Sequence, residues 1–342
     1  MRLPGLLLLI MLLLVPGTAL AVDTLRVLAW PGYADPDLVK VFEQRYGARV
    51  EVTLVSTDDE LWARLSKGKG SDFDVFAANT AELQRYIDGG ISVPLDLTNI
   101  PNTSRQLPRF RDLGTIPGLV RNGVVYAIPY TYSEMGLIYD RKQVKTPPES
   151  IAALWDARYK GRVLAFQGST HNFSIAAQAL GLKNPFQIAA ADFRRVVRHL
   201  VTLRRNLLSF YSTPEEATEL FMQNRAALLY ANFGSQQVTQ LRQAGADIGY
   251  AIPREGALAW LDCWSLTRGA KNRKLAEIWI NYTLEPAVSG ALTKRQGLSN
   301  TMEASPWMHD GARILWLERV EDAVKRSTFW ERVLSGDVME KF

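Results

Sequence analysis

Within its first ninety or so residues the chain alternates three times between a strand-length apolar run and an amphipathic helix, an order that leaves few folds open. Thr24 to Trp30 alternates as a strand does, and Pro31-Gly32 breaks it. Asp35-Pro36 then supplies a helix N-cap with proline at the first helical position, and Tyr46-Gly47 supplies the left-handed stop. Arg49 to Val55 is a second strand. A second helix runs from Asp58 to Leu65, its start acidic (Asp58-Asp59-Glu60) as the helix dipole prefers. Asp72 to Ala77 is a short buried strand, and Thr80 to Ile87 a third helix. Strand and helix in strict alternation predict an α/β fold whose sheet is mainly parallel and flanked by helices.

The same alternation resumes later. Asn122-Gly123 begins an extended run from Val124 to Tyr139, long enough to cross from one domain to another. Beyond it, strands at Val163 to Phe166, Ala226 to Tyr230 and Ile248 to Pro253 alternate with helices at Asn172 to Leu180, Ala190 to Arg205, Glu215 to Asn224 and Ser235 to Gln243. A strong helix follows at Asn272 to Leu284. The C-terminal stretch, Trp307 to Phe342, reads as helical, with Trp316, Leu317, Val320 and Val324 on an apolar stripe and Phe329 and Trp330 in the core.

Met1-Arg2, an apolar run from Leu6 to Val15, Pro16-Gly17 and Ala19-Leu20-Ala21 form a secretory signal, with cleavage expected after Ala21 and no cysteine there to carry a lipid. The roughly 320 residues that remain exceed what one core normally organises, so two domains are expected. The net charge of +5, from 40 basic and 35 acidic residues, falls to +4 when Arg2 leaves. That excess is mild and scattered. The one dense cluster, Arg194-Arg195, Arg198 and Arg204-Arg205, reads as the wet face of a helix, so nucleic acid is not an expected partner.

Catalysis finds little support. Lys67-Gly68-Lys69-Gly70 lacks the spacing of a phosphate-cradling loop, and no GxSxG elbow occurs. His171, His199 and His309 are far apart, and the single cysteine, Cys263, leaves neither a disulfide nor a structural zinc site to expect. Neither metal nor cofactor is expected. Binding is the favoured class.

Glu255 to Trp264 is where binding chemistry concentrates. In an extended strand Trp260, Asp262 and Trp264 share one face. An indole beside a carboxylate suits an organic cation, the ring face attracting the charge and the carboxylate accepting its N–H groups. Taken alone, a buried strand with an aspartate at its turn is the better account.

Five segments change that balance: Leu28-Ala-Trp-Pro-Gly-Tyr33, Asp72-Phe-Asp-Val-Phe-Ala77, Tyr126-Ala-Ile-Pro-Tyr130, Leu154-Trp-Asp-Ala-Arg-Tyr-Lys-Gly161 and Glu255 to Asp262. In their order and spacing, from about Leu25 to Met302, the chain resembles the periplasmic spermidine/putrescine-binding proteins, the receptors of ATP-driven polyamine importers. The resemblance implies a type II periplasmic binding protein fold: two α/β lobes with a ligand cleft between them, closing by hinge motion. The lobes would be residues 22–129 with 255–300, and 130–254 with 301–342, the C-terminal stretch packing back on the second. It implies a periplasmic monomer that delivers its ligand to an ABC permease. The alternative is a sensor that docks on a membrane signalling protein.

Carried over by position, Trp30 and Tyr33 match the family's Trp-x-x-Tyr, and Trp260 with Asp262 its Trp-x-Asp. Tyr230 stands where a tryptophan is usual, Asn79 at a Ser/Thr-type position and Ser212 at a polar position after a strand. Tyr230 reads equally as core, and Ser212 as a helix N-cap. The departures point elsewhere than a diamine. Gln167-Gly-Ser-Thr-His-Asn172 has no carboxylate where polyamine binders hold the far amine, and Ala81 replaces an aromatic. A second buried ammonium without a partner costs several kcal/mol, roughly, unless Glu134 or Asp140 reaches it. His171 can instead meet a polar or carboxylate end. The expected ligand has one cationic amine or guanidinium and a second end that is neutral or anionic.

Overall fold

The computed structural model describes residues 22–305 and 313–336, so the expected signal segment, Trp307 and His309 lie outside the described residues. Two sheets organise the chain. The larger runs in the order Ser299–Asn300, Ala127–Met135, Ala257–Thr267, Val75–Asn79, Thr24–Ala29, Arg49–Leu54, with Ser92–Val93 and Ile314–Trp316 added along Ala257–Thr267. The smaller has the order Leu207–Tyr211, Val163–Phe166, Leu228–Tyr230, Leu137–Asp140, Ile248–Ala251. Helices flank both sheets, giving the two-lobed α/β fold.

The βα units give the parallel pairs, as Thr24–Ala29 lies parallel to both Arg49–Leu54 and Val75–Asn79. Their helices begin where the side chains dictate. Thr57 accepts from the Glu60 amide at 3.1 Å while the Glu60 carboxylate accepts from the Ser56 amide at 3.0 Å, a reciprocal capping box that starts Asp58–Ser66. Asn79 caps Thr80–Asp88 by accepting from the Glu82 amide at 3.1 Å. Asn122 and Gly123 both adopt positive φ (52° and 76°), closing a tight hairpin between Val120–Arg121 and Val124–Val125.

Outside these units antiparallel pairing is frequent. The long strand Ala257–Thr267, the spine of the larger sheet, pairs antiparallel with Val75–Asn79 on one side and Ala127–Met135 on the other. It arrives from the other lobe rather than through a βα crossover, so nothing constrains it to run parallel. In the smaller sheet Leu137–Asp140 likewise pairs antiparallel with both its neighbours.

The passage between sheets falls at Gly136, between Met135 and Leu137, rather than at residues 129–130, because Ala127–Met135 stays hydrogen-bonded to the spine along its length. Tyr250 clasps this passage: its hydroxyl donates to the Glu134 carbonyl at 2.7 Å and accepts from the Gly136 amide at 3.0 Å.

The C-terminal stretch departs furthest from its sequence reading. Trp316 lies in a strand, Ile314–Trp316, parallel to Ala257–Ala259 of the spine, so this part of residues 301–342 joins the larger sheet. The spine outruns its neighbour Val75–Asn79 at this end, leaving buried main-chain groups that need partners. The Ala257 amide donates to the Arg313 carbonyl at 2.9 Å and the Leu317 amide to the Ala259 carbonyl at 2.8 Å. The helix begins only at Ala323, capped by Asp322, and runs to Leu334. Val324 is 77% exposed and falls off the expected stripe, whereas Trp330 is buried and Phe329 packs against the second-lobe core. Arg326, fully buried, fastens this helix: it pairs with Glu321 at 2.6 Å and donates to the Thr170 carbonyl and the Ser174 hydroxyl.

Candidate functional site

Asp262 sits near the middle of the spine, opposite Asn79 on one side and Thr131 on the other. It is 7% exposed, and the Tyr33 hydroxyl donates to its Oδ2 at 2.6 Å. Tyr33 is itself held edge-on by Tyr130 and Trp264, with ring centres 5.3 and 6.2 Å away. Burial pushes the Asp262 carboxyl up to about 7, and the Tyr33 hydrogen bond offsets only part of that. The acid is oriented by a neutral donor and has no cationic partner among the described residues.

Trp30 and Trp260 are both half-buried, with their indole edges fixed. Trp30 donates to the Ala77 carbonyl at 3.2 Å, within the first lobe. Trp260 donates at 3.2 Å to the carbonyl of Asn232, across to the second lobe, and packs against the cores of both. Trp264 shares the strand face but is fully buried, stacked edge-on against Trp279. Alternation gives all three one face; depth in the sheet divides them into wall and core.

Asn79 stands beside Asp262, and besides capping its helix it donates from Nδ2 to Asp58 Oδ1 at 3.1 Å. Asp58 is thus a second carboxylate at this corner. Burial raises it to about 7, with added repulsion from Glu82 and Asp262 and partial relief from Arg85. From the sequence Asp58 is only the first acid of a helix start. Its approach to Asp262 depends on the order of the strands.

On the second lobe His171 lies in the first turn of Ser169–Ala179, its Nδ1 2.8 Å from Asn232 Oδ1. Burial lowers its pKa, more than the Asn232 contact restores, so the ring is neutral at pH 7. With the proton on Nδ1, facing the Asn232 oxygen, Nε2 is left as an acceptor. Asn232 therefore joins His171 to Trp260, and no sequence signal marks it.

Four residues weighed as contributors, Tyr230, Ser212, Glu134 and Asp140, have other surroundings. Tyr230 is buried in the second-lobe core, where its hydroxyl has no hydrogen-bond partner among the described residues. Ser212 is exposed, bonded to Gln167 at 3.4 Å, and precedes the helix cap, which is Thr213. Glu134 pairs with Ala259 and so projects from the opposite face of the sheet to Ser133 and Trp260. It is wholly buried, neither carboxylate oxygen has a hydrogen-bond partner among the described residues, and burial raises it to about 7. Asp140 is engaged by Gln143 and the Lys142 amide. Ala81 packs against the second-lobe core, beside Thr80, whose hydroxyl donates to the Leu317 carbonyl at 2.6 Å.

The model of one family, described as bacterial extracellular solute-binding protein, matches residues 37–310. The chain belongs to that family. This solute-binding protein is 26% identical over 282 residues to the spermidine/putrescine-binding periplasmic protein of Escherichia coli strain K12, covering 80% of this chain and 76% of the relative. It is 25% identical over 293 residues to the putrescine/agmatine-binding protein of Pseudomonas aeruginosa strain PAO1, covering 81% and 77%. Among solved structures, the spermidine/putrescine ABC transporter substrate-binding protein of Streptococcus pneumoniae superposes with a TM-score of 0.75 at 20% identity, covering 92% of this chain and 99% of that one. That likeness bears on the fold alone: two α/β lobes.

Proposed function

We propose that this protein captures a small organic cation between its lobes in the periplasm and hands it to an ABC permease, without catalysing a reaction. The observation that carries the reading is Asp262, a buried carboxylate oriented by Tyr33 and lacking a cationic partner among the described residues, on the same strand face as a half-buried indole. A cation supplies the missing charge, and the indole face adds to its binding. The polyamine ligands named for the two relatives are organic cations too.

The second-lobe end differs from a diamine receptor. His171 is neutral and Asn232 uncharged, so nothing in this pair pins a second ammonium. The reading is therefore a ligand with one cationic head and a second end that bears no positive charge. Isothermal titration tests it. Ligands of that kind are expected to outbind putrescine and spermidine, and sub-micromolar binding of either polyamine refutes this part. Asp262→Ala is expected to weaken binding at least tenfold, since losing a charged partner to a buried cation costs about 2 kcal/mol or more. Unchanged affinity removes Asp262 from the site.

A further inference from the structure

The carboxylates Asp58 and Asp262 flank one residue. Asn79 is directly opposite Asp262 in the ladder, and its side-chain amide is 3.1 Å from Asp58 Oδ1. Residues paired across an antiparallel ladder project to the same face with Cβ atoms about 5 Å apart, and the charge of Asp262 acts on Asp58, so the two carboxylates share one corner of the sheet. We propose that Asp58 is a second ligand carboxylate, and that with Asp262 it makes a two-acid receptor selective for a guanidinium head over a primary ammonium.

Among the described residues the cation at this corner, Arg85, is engaged elsewhere. Arg85 pairs with Glu82 at 2.6 Å, lies over the Trp62 ring at 4.5 Å, and donates to the main-chain carbonyl of Asp58 rather than to its carboxylate. The head group selected follows from the donors two acids demand. A guanidinium presents five N–H groups in one plane and can meet carboxylates on two edges at once. It is also more weakly hydrated than an ammonium, so it loses less on entering a site where Asp262 is already dry, and its flat face suits the indole walls. An ammonium has three donors on a strongly hydrated point charge.

This inference rests on the proposed cation site, and four ligands of matched length separate the two. Putrescine and 4-aminobutyrate carry an ammonium head. Agmatine and 4-guanidinobutyrate carry a guanidinium head. Within each pair the other end is cationic in the first compound and anionic in the second. Titration calorimetry on the full mature chain is expected to show each guanidinium compound binding at least tenfold tighter than its ammonium counterpart. Asp58→Asn keeps an acceptor for Asn79 and should fold, with a melting midpoint no lower than that of the wild type. It is expected to erase most of the head-group preference while leaving measurable binding. Equal or reversed preference in the wild type overturns the inference with no variant needed. A preference that survives Asp58→Asn overturns it too, with the cation site intact. Binding of none of the four, nor of spermidine, overturns the cation site and this inference with it.

Discussion

Glu134→Gln isolates a cost that the fold accepts beside the passage between its sheets. A carboxyl held near 7 against an ordinary value of 4.5 makes the folded state bind more protons than the unfolded chain between those two pH values. Stability contributed by this group therefore falls as pH rises through that window and is regained on acidification. At 1.36 kcal/mol per pKa unit the penalty approaches about 3 kcal/mol at pH 8 and is under about 1 kcal/mol at pH 5. Glutamine keeps the shape and removes the charge, although its amide inherits the lack of partners at a cost of about 1 kcal/mol at every pH. The variant should be more stable than wild type by about 1–2 kcal/mol at pH 8 and no more stable at pH 5. Urea unfolding followed by tryptophan fluorescence at several pH values between 5 and 8 gives the difference directly. Subtracting the two proteins cancels Asp58 and Asp262, which titrate in the same range. A wild-type–variant difference that stays constant with pH means Glu134 is not held neutral by its surroundings, and the reasoning fails.

Other perturbations follow from the same contacts. Tyr33→Phe deletes the 2.6 Å hydrogen bond that favours ionised Asp262. Its carboxyl should rise further, cutting affinity for a cation roughly three- to tenfold at pH 7; the loss should shrink when titrations are repeated at pH 8.5, and a pH-independent loss would contradict it. Arg326→Met leaves Glu321 and several buried acceptors without their donor. A loss of roughly 3 kcal/mol or more is expected, with hydrogen exchange rising first in Ala323–Leu334; uniform exchange across both lobes would argue against a local anchor. Gly234→Ala sets a methyl 2.2 Å from the Ser133 hydroxyl and 2.3 Å from the Glu134 carbonyl, at a φ of +46°. It should lower the melting temperature by several degrees and weaken ligand binding, and an unchanged midpoint would show that the crossing strand can yield.

How far the site was legible depended on the distance over which each residue acts. Trp260 and Asp262 share a face because strands alternate every two residues, and that could be read directly; Asn79 was carried over as a Ser/Thr-type position, and its helix cap emerged from the structure. Tyr33 could be placed in a turn, but its hydrogen bond to Asp262 joins residues 229 positions apart. Asp58 looked like a helix-start acid, which it also is. Ser212 and Tyr230 were carried over by position, and each instead follows its local setting, one ahead of a cap and the other in a core. Glu134 lies next to Ser133 in sequence and on the other side of the sheet from it.

The sequence by itself determined the βα alternation, the Asn122-Gly123 hairpin and the same-face pairing of an indole with a carboxylate. All of these are set by backbone stereochemistry and contacts within a few residues. Only the tertiary structure decided that Ile314–Trp316 becomes a strand, since the spine's unmatched edge calls for one from outside its own neighbourhood. Tertiary structure also decided that Asp58 reaches the corner of Asp262, that Asn232 links His171 to Trp260, and that Glu134 turns away. Strand order and register bring such groups together, and the free energy that fixes them comes from burying the apolar cores rather than from any local preference.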